Sequence, residues 1–257
     1  MMQSAIHSVV AGAGPAVVLI PGLAGLAKFW HPLQGHIAPH FRSIAIDHPG
    51  VGLSRSLGPP SISAIAQQVL ALLDREGIER AHVIGHSTGG LVAQALALDA
   101  PGRVAKLVLS NTWARADGRF RDLFRLRQHV LRNCGPAGYA ALGDLLAFPP
   151  DWYEAHIAEP GSERDLAREI PMNVELTLER IDMLLEHDRA DELGHIAASV
   201  CIVGAPDDNI VPFHHSQDLA KRIPRARLDS LDGGHFTPTT KTVAYAALVS
   251  TFLKDGA

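Results

Sequence analysis

The sequence predicts an α/β fold with a doubly wound, mostly parallel β-sheet. Short apolar runs bounded by Gly, Pro or Asp recur along the chain, and segments of helical periodicity separate them. Apolar runs of this length without alternation are typical of strands that are buried on both faces. With 257 residues, 47% of them hydrophobic, the chain is long enough for one large domain with its own core.

The individual elements follow from these runs in chain order. Strands are expected at residues 17–20, 43–46, 81–84, 106–109, 200–203 and 227–231. Helices are expected at residues 62–76, 91–99, 215–222 and 242–253. Parallel strands need a crossover connection, which is usually a helix, so this alternation predicts a parallel sheet.

The strand pattern stops between residues 113 and 190. Several helices are expected there, with turns at Gly135-Pro136, at Phe148-Pro149-Pro150 and at Glu159-Pro160-Gly161. Open α/β sheets bind their ligands at the carboxyl ends of the strands, so a helical block between two strands is most simply an insertion over that edge. We therefore predict a core formed by residues 1–112 and 191–257 and a helical cap formed by residues 113–190.

Composition narrows the classes of partner. The formal net charge is −4 and no run of Lys or Arg occurs, which argues against nucleic acid and against an anionic membrane surface. Cys134 and Cys201 are far apart in the chain, so neither a disulfide framework nor a Cys metal site is indicated. No apolar run approaches the roughly 20 residues of a membrane span. We expect a cytoplasmic monomer or homodimer that binds a small molecule.

Metal ions and nucleotide cofactors are not expected. His31, His36 and His40, and the pair His214-His215, match neither an H-x-H nor an H-E-x-x-H pattern. The first predicted strand is not followed by G-x-G-x-x-G, and no Lys-Ser or Lys-Thr follows the glycines at 85–90. The chemistry is therefore expected to come from protein groups alone.

The strongest local signal is Gly85-His86-Ser87-Thr88-Gly89-Gly90, between the strand predicted at 81–84 and the helix predicted at 91–99. A strand that turns sharply into a helix holds its central residue in a strained conformation, which only small neighbours allow. The turn lifts the serine hydroxyl clear of the sheet, and the first N–H groups of the helix point at a developing negative charge. We predict a nucleophile at Ser87; the alternative is a plain turn before a helix, which favours the same residue types.

Two further segments supply the groups that a serine nucleophile needs. A neutral imidazole accepts the serine proton best when a carboxylate fixes its tautomer. The strand predicted at 200–203 leads into Asp207-Asp208, and the strand predicted at 227–231 leads into His235. The order Ser, Asp, His and the position of each at a strand end favour a triad over a turn aspartate and a loop histidine.

These segments together resemble the α/β-hydrolase family over nearly the whole chain. The motifs that carry the resemblance are Pro21-Gly22-Leu23-Ala24-Gly25, Asp47-His48-Pro49-Gly50-Val51-Gly52-Leu53-Ser54, Gly85 to Gly90, Asp207 to Pro212 and Gly233-Gly234-His235. The resemblance implies an α/β-hydrolase fold and a cofactor-free catalytic triad. The chain departs from the family pattern at Pro21 and Pro49, which replace a His and an Arg outside the triad.

The resemblance also implies particular site residues. The backbone N–H groups of Leu23 and Thr88 are expected to form the oxyanion hole, and their side chains are not critical to this role. Counting back from Pro212 favours Asp208 as the triad acid, whereas the distance from the strand end favours Asp207. We take Ser87, Asp207 and His235 as the expected triad.

A narrower resemblance, to the aminoacrylate hydrolases of pyrimidine breakdown, rests on Trp30, on Phe148-Pro149-Pro150-Asp151-Trp152 and on Arg180-Ile181-Asp182-Met183-Leu184. It implies a small acidic substrate with a C–N or ester bond. An arginine of the first cap helix that faced the pocket would suit a substrate carboxylate. A solvated helix face is the simpler interpretation of any one of the six candidates, Arg115, Arg119, Arg121, Arg125, Arg127 and Arg132.

The resulting hypothesis is a cofactor-free serine hydrolase that cleaves an enamine or amide-like C–N bond. A carboxylesterase or enol-lactonase of the same fold is the first alternative. A ligand-binding receptor that has kept the fold is the second, since fold alone does not establish activity. Haloalkane dehalogenases and epoxide hydrolases are disfavoured, because they need a carboxylate where this chain has Ser87.

Overall fold

A seven-stranded β-sheet forms the centre of the computed structural model, which describes residues 6–56, 58–157 and 172–255. Its strands are Ser8–Ala11 (β1), Ala16–Ile20 (β2), Arg42–Ile46 (β3), Ala81–His86 (β4), Val104–Ser110 (β5), Ser199–Gly204 (β6) and Ala226–Ser230 (β7). The strand order is β1-β3-β2-β4-β5-β6-β7. Strands β2 to β7 run parallel to their neighbours, and β1 is antiparallel to β3.

Each of the six predicted strands corresponds to an observed one, from β2 to β7. Strand β1 is absent from the prediction. It is a four-residue edge strand, only partly buried, and its Val10 is exposed. Such a strand lacks the continuous apolar run that reveals its buried neighbours.

The described helices are His31–Ile37 (α1), Ile62–Arg75 (α2), Thr88–Asp99 (α3), Gly118–Ala147 (α4), Pro150–His156 (α5), Val174–Glu186 (α6), His214–Arg222 (α7), Thr237–Thr240 (α8) and Thr242–Lys254 (α9). The four helices predicted in the core correspond to α2, α3, α7 and α9. Across the described part of the chain, none of the helices combines the length and apolarity needed to cross a membrane.

Helices cover both faces of the sheet, as the continuous apolar runs predict. Side chains of a strand alternate between its faces. Val18 and Ile20 of β2 belong to one buried cluster, together with residues of α2 and α3. Val17 and Leu19 belong to a second cluster, together with residues of α1 and α9. Because both faces are occupied, the carboxyl edge of the parallel strands is left for a ligand site.

The described residues between β5 and β6 contain helices α4, α5 and α6 and no strand. Residues 158–171 of the predicted cap lie outside the described part of the chain. Helix α4 breaks at Gly135, whose φ of +69° suits glycine and which precedes Pro136, so the turn predicted there is present. An isolated β-bridge joins Arg115 to Asp188 near the two ends of the segment. The division into core and cap at residues 112 and 190 stays a prediction.

Candidate active site

Ser87 lies on the tight turn between β4 and α3. Its φ is +52° and its ψ is −121°, a conformation that residues other than glycine rarely adopt. Small neighbours make the turn possible: a Cβ atom on Gly89 would overlap the carbonyl oxygens of Ile20 and Pro21, and one on Gly85 would overlap the Gly89 carbonyl. The strained turn predicted from the sequence is therefore present.

Ser87, His235 and Asp208 form a continuous chain of hydrogen bonds. The Ser87 Oγ atom is 3.0 Å from His235 Nε2, and His235 Nδ1 is 2.8 Å from Asp208 Oδ2. The three residues follow strands β4, β7 and β6, so the carboxyl edge of the sheet brings them together. All three are buried, which shields the two hydrogen bonds from competing water. The arrangement has the geometry of a nucleophile, a base and an orienting carboxylate.

The prediction that Asp207 contacts His235 is wrong, because Asp208 is the residue whose carboxylate reaches the imidazole. The side chain of Asp207 is exposed, and both its oxygens lie 3.1 Å from the backbone nitrogen of Gly233, whose N–H they accept. Asp207 therefore holds the loop that carries His235 and does not approach the imidazole.

The local turn explains why the second aspartate reaches the histidine. The Asp208 N–H donates to the Ala205 carbonyl at 3.2 Å, which closes a turn directly after β6. Asp208 Oδ1 then accepts the N–H groups of Ile210 and Val211, each at 2.8 Å, and this leaves Oδ2 for the imidazole. Counting back from Pro212 thus identifies the correct residue, whereas the distance from the strand end does not include this turn.

Asn111 is a site residue that the sequence reasoning missed. It follows β5, has a φ of +46°, and its Nδ2 donates to Asp208 Oδ2 at 3.0 Å and to the Gly234 carbonyl at 3.3 Å. The next residue, Thr112, donates from Oγ1 to the Ser87 carbonyl at 2.8 Å. The sequence signal that could have identified Asn111 is the polar pair Asn-Thr at the carboxyl end of a buried strand, where ligand sites of parallel sheets lie.

Leu23 and Thr88, the predicted oxyanion donors, both lie beside Ser87. Thr88 is the first residue of α3, where backbone N–H groups have no acceptor within the helix. Leu23 lies in a turn closed by a 2.9 Å bond from the Gly25 N–H to the Gly22 carbonyl. A Cβ atom on Gly22 would be 3.2 Å from Ser87 Cβ, so this turn runs next to the nucleophile. The action of the two amides as oxyanion donors stays a prediction.

His86 packs against the imidazole of His235. Its ring is stacked on Phe29 with centroids 4.8 Å apart, and its centroid is 4.9 Å from that of His235. Neither ring nitrogen has a hydrogen-bond partner in the described part of the chain. Burial, and then the positive charge that His235 can carry, lower the pKa of His86 well below its ordinary value. His86 is therefore a neutral packing residue beside the base.

A cavity of about 460 Å³ opens next to Ser87 and His235. Its size suits a small-molecule ligand. Helices α4 and α6 supply much of its lining, including Phe124, Tyr139 and Leu176. Among the described residues of the lining, the charged side chains are Lys28, Arg127, Asp144 and Arg180, so that three cations accompany one carboxylate there.

Arg127 is the member of the six-arginine set that lines this cavity. Its side chain is buried, and its guanidinium carbon is 5.1 Å from the Phe124 ring centre and 4.6 Å from the Tyr139 ring centre. The other five are half-buried or exposed and lie outside the cavity lining: Arg115, Arg119, Arg121, Arg125 and Arg132. The solvated-face interpretation therefore fits these five and fails for Arg127.

Arg180 of α6 reaches the cavity from the other helix and is 3% exposed. Its Nη2 contacts His48 Nδ1, and a Cβ atom on Gly25 would lie 2.6 Å from its Nη1. Burial lowers the pKa of Arg180 to about 10, which leaves it charged at neutral pH. Burial and the charge of Arg180 hold the pKa of His48 well below its ordinary value. His48 is thus neutral and accepts from the guanidinium.

Helix α4 is hydrogen-bonded directly to the loop that carries His235. The carbonyl of Ala147, the last residue of α4, accepts the N–H of His235 at 2.8 Å. Gly234 has a φ of +68°, and a Cβ atom there would overlap the Ala147 carbonyl oxygen. The position of His235 therefore depends on the end of this helix.

One cluster of the described residues has the composition of a metal site. Ligand atoms of Asp117, His214 and His215 lie within 4.8 Å of one another. Asp117 also caps α4 through a 2.8 Å bond from the Phe120 N–H and lies 2.9 Å from His214 Nε2, so its contacts have a structural explanation. Asp117 precedes His214 by 97 residues in the chain, so no local sequence motif joins the acid to the two histidines.

The fold, and a site at the carboxyl edge of its sheet, define the class of α/β hydrolases. A family model described as alpha/beta hydrolase fold matches residues 15–242, and the chain belongs to this family. A similar relative is "Putative carbamate hydrolase RutD" of Azorhizobium caulinodans, 38% identical over 225 residues, which cover 87% of this chain and 84% of the relative. The protein of the same name from Caulobacter sp. (strain K31) is 35% identical over 255 residues, 98% of this chain and 95% of the relative.

Solved structures agree with this assignment. The enol-lactonase from Burkholderia xenovorans LB400 superposes with a TM-score of 0.88 and 26% identity, over 97% of this chain and 96% of the enol-lactonase. The predicted α/β-hydrolase fold is confirmed, and so is the narrower resemblance to hydrolases of pyrimidine breakdown. The protein is a hydrolase.

Proposed function

We propose that the protein is a cofactor-free serine hydrolase that cleaves a C–N bond in a small carboxylic acid derivative of the aminoacrylate or carbamate type. The observation that carries this proposal is the hydrogen-bonded chain Ser87, His235, Asp208 beside a cavity of small-molecule size. Two similar proteins named as carbamate hydrolases add support, because a carbamate contains a C–N bond at a carbonyl carbon.

The geometry suggests the following steps for an amide-like substrate. Ser87 Oγ attacks the carbonyl carbon while His235 Nε2 takes the hydroxyl proton, and Asp208 stabilises the imidazolium that forms. The N–H groups of Leu23 and Thr88 donate to the oxyanion. His235 then gives the proton to the leaving nitrogen as the C–N bond breaks, and water releases the acyl group through the same base.

An enamine substrate follows a shorter route within the same proposal. Hydrolytic loss of ammonia from an enamine needs no acyl-enzyme. A solvent proton on the enamine carbon gives an iminium, and His235 takes a proton from the water that adds to it. His235 then passes that proton to the nitrogen, which leaves as ammonia, while the new hydroxyl returns a proton to solvent and becomes the carbonyl. Rapid mixing separates the two routes, because only accumulation of an acyl-enzyme produces a burst of the first product.

A carboxylesterase or enol-lactonase is the second candidate function. It is favoured by the structural similarity to an enol-lactonase at 26% identity. A non-catalytic receptor is the third candidate, and the intact Ser87–His235 hydrogen bond argues against it.

We also propose a cytoplasmic monomer or homodimer without nucleic-acid or membrane partners, consistent with the net charge of −4 and with free thiols at Cys134 and Cys201. Light scattering on the purified protein tests the oligomeric state.

Two measurements test the proposal. A fluorophosphonate should label the protein, and Ser87→Ala should abolish the label, whereas Ser230→Ala, an exposed serine at the end of β7, should keep it. A substrate panel should then give ammonia from C–N compounds at least about 100-fold more efficiently than acid from short esters and lactones, roughly 2.7 kcal/mol of transition-state discrimination. Absence of labelling overturns the serine hydrolase, and a preference for esters or lactones selects the second candidate.

A further inference from the structure

Arg180 is a buried cation without an acidic partner in the described part of the chain. Its Nη2 donates a hydrogen bond to the neutral His48, and its Nε has no hydrogen-bond partner among these residues. Burial of a charge is costly unless an opposite charge and hydrogen bonds compensate for it. A cation in this position next to a cavity therefore points to an anion that arrives with the ligand.

Arg127 repeats this pattern from the neighbouring helix. It is buried, lines the same cavity, and its Nε also lacks a hydrogen-bond partner among the described residues. Its guanidinium carbon lies 4.6 Å from the ring centre of Tyr139, which lines the same cavity as Arg180. Among the described residues of the lining, Arg127, Arg180 and Lys28 outnumber the acidic Asp144. The described part of the cavity wall therefore carries more cations than acids.

The turn from Gly22 to Gly25, after β2, lies between Ser87 and Arg180. Gly22 approaches Ser87, Gly25 approaches Arg180, and a hydrogen bond from the Gly25 N–H to the Gly22 carbonyl closes the turn between them. The ends of such a turn lie within roughly 7 Å of each other. Ser87 and Arg180 both line the cavity of about 460 Å³, so one small ligand in it can contact both.

We propose that Arg180, together with Arg127, binds a carboxylate of the substrate that is separate from the reacting carbon and lies a few bonds away from it. This inference rests on the proposed hydrolase function for the identity of the reacting end. A guanidinium group suits the role because its planar fork donates two parallel hydrogen bonds to a carboxylate. The absence of a side chain at Gly25 leaves the space that the guanidinium occupies. The preferred substrates are then short acids with the scissile bond near the carboxylate.

Binding to a catalytically silent protein tests this subsite without turnover. In the Ser87→Ala background, calorimetry with succinate and with its neutral diamide should detect a preference for succinate. Adding Arg180→Gln should weaken succinate binding roughly 10- to 100-fold, because a charged hydrogen-bonding partner is lost. Adding Arg127→Gln should weaken it in the same direction. The matched control is Arg125→Gln, an exposed arginine of the same helix outside the cavity lining, which should leave the affinity within about twofold.

The outcomes separate the subsite from the proposed function. Equal binding of succinate and the diamide, or unchanged succinate affinity in both the Arg180→Gln and Arg127→Gln proteins, overturns the anion subsite even if Ser87 is labelled. Loss of succinate binding in these variants supports the subsite even if Ser87 is not labelled. If Arg180→Gln does not fold, as judged by circular dichroism, Arg180→Lys keeps the charge without the fork and should bind succinate several-fold more weakly.

Discussion

His235 Nδ1 lies 2.8 Å from Asp208 Oδ2, while Asp207, one residue earlier in the chain, accepts a backbone N–H from Gly233. Adjacent aspartates thus have different tasks at one strand end. Asp208 acts on the imidazole, and Asp207 holds the loop that carries it.

Asp208→Asn should lower kcat by a factor of about 10³ to 10⁴, because an amide at this position stabilises the wrong tautomer of the imidazole and cannot balance its charge. Asp207→Asn is the matched control and should change kcat by less than about tenfold, since an amide oxygen still accepts the Gly233 N–H. Steady-state kinetics on the best substrate of the panel checks both. A larger loss from Asp207→Asn than from Asp208→Asn would contradict the assignment of the acid.

Two substitutions of Asn111 separate the effect of its backbone conformation on stability from the effect of its side chain on kcat. Asn111→Gly keeps the φ of +46° accessible but removes the amide that donates to Asp208, so kcat should fall roughly tenfold. Asn111→Ala removes the same amide and adds a Cβ that disfavours this φ, so it should also cost about 1 kcal/mol of stability. Urea denaturation and kcat, measured on both variants, distinguish the two effects. Equal stability of the Gly and Ala variants would argue against backbone strain at this position.

Gly89→Ala should destabilise the protein by at least about 2 kcal/mol. Its Cβ would overlap the carbonyl oxygens of Ile20 and Pro21, which are backbone atoms and cannot move independently. Gly102→Ala is the control, because no atom lies within 4 Å of the Cβ position there. The midpoints of urea denaturation compare the two. If the two variants unfold at similar urea concentrations, the turn tolerates a side chain and the steric argument fails.

The free energy of unfolding should fall as the pH drops below about 6.5. Burial lowers the pKa of His48 and His86 well below their ordinary value of 6.5. In the unfolded chain both groups take up a proton near that pH, so below it the unfolded state binds more protons and is favoured. Each histidine contributes up to roughly 1.4 kcal/mol per pH unit. Urea denaturation between about pH 7.5 and about pH 5 measures this slope.

His86→Phe provides the control for this pH dependence. The phenyl ring can keep the stack on Phe29 but cannot take up a proton. Below pH 6.5, the slope of the free energy of unfolding against pH should therefore decrease by the contribution of about one bound proton, up to roughly 1.4 kcal/mol per pH unit. An unchanged slope would mean that His86 is not one of the groups responsible.

The sheet was predictable because buried parallel strands carry their signal locally, in unbroken apolar runs such as Val17 to Ile20. Strand β1 was not, since its pairing with β3 is a tertiary contact and its own residues are half-exposed. Ser87 and His235 were predictable for a related reason: each lies in a glycine-rich turn directly after a strand.

The remaining site residues depend on geometry that the sequence does not carry locally. The choice between Asp207 and Asp208 is decided by one backbone turn closed at Ala205. Arg127 and Arg125 are two residues apart on one helix, yet only the first lines the cavity, because helix rotation relative to the core decides which side faces inward. Arg180 reaches the cavity from a different helix, so no spacing rule connects it to Ser87.

The hydrogen bond from His235 to the Ala147 carbonyl limits how freely the substrate specificity of this fold can be exchanged. A chimera that takes residues 113–190 from a relative replaces the binding wall and the support of the base at the same time. Crossover points placed inside α4, before its last turn, keep the native carbonyl at position 147 and change only the part of the wall that α4 supplies, while Arg180 of α6 stays in place. Recombination that aims to change specificity through α4 should therefore stop before the last turn of this helix, so that the hydrogen bond to His235 is kept.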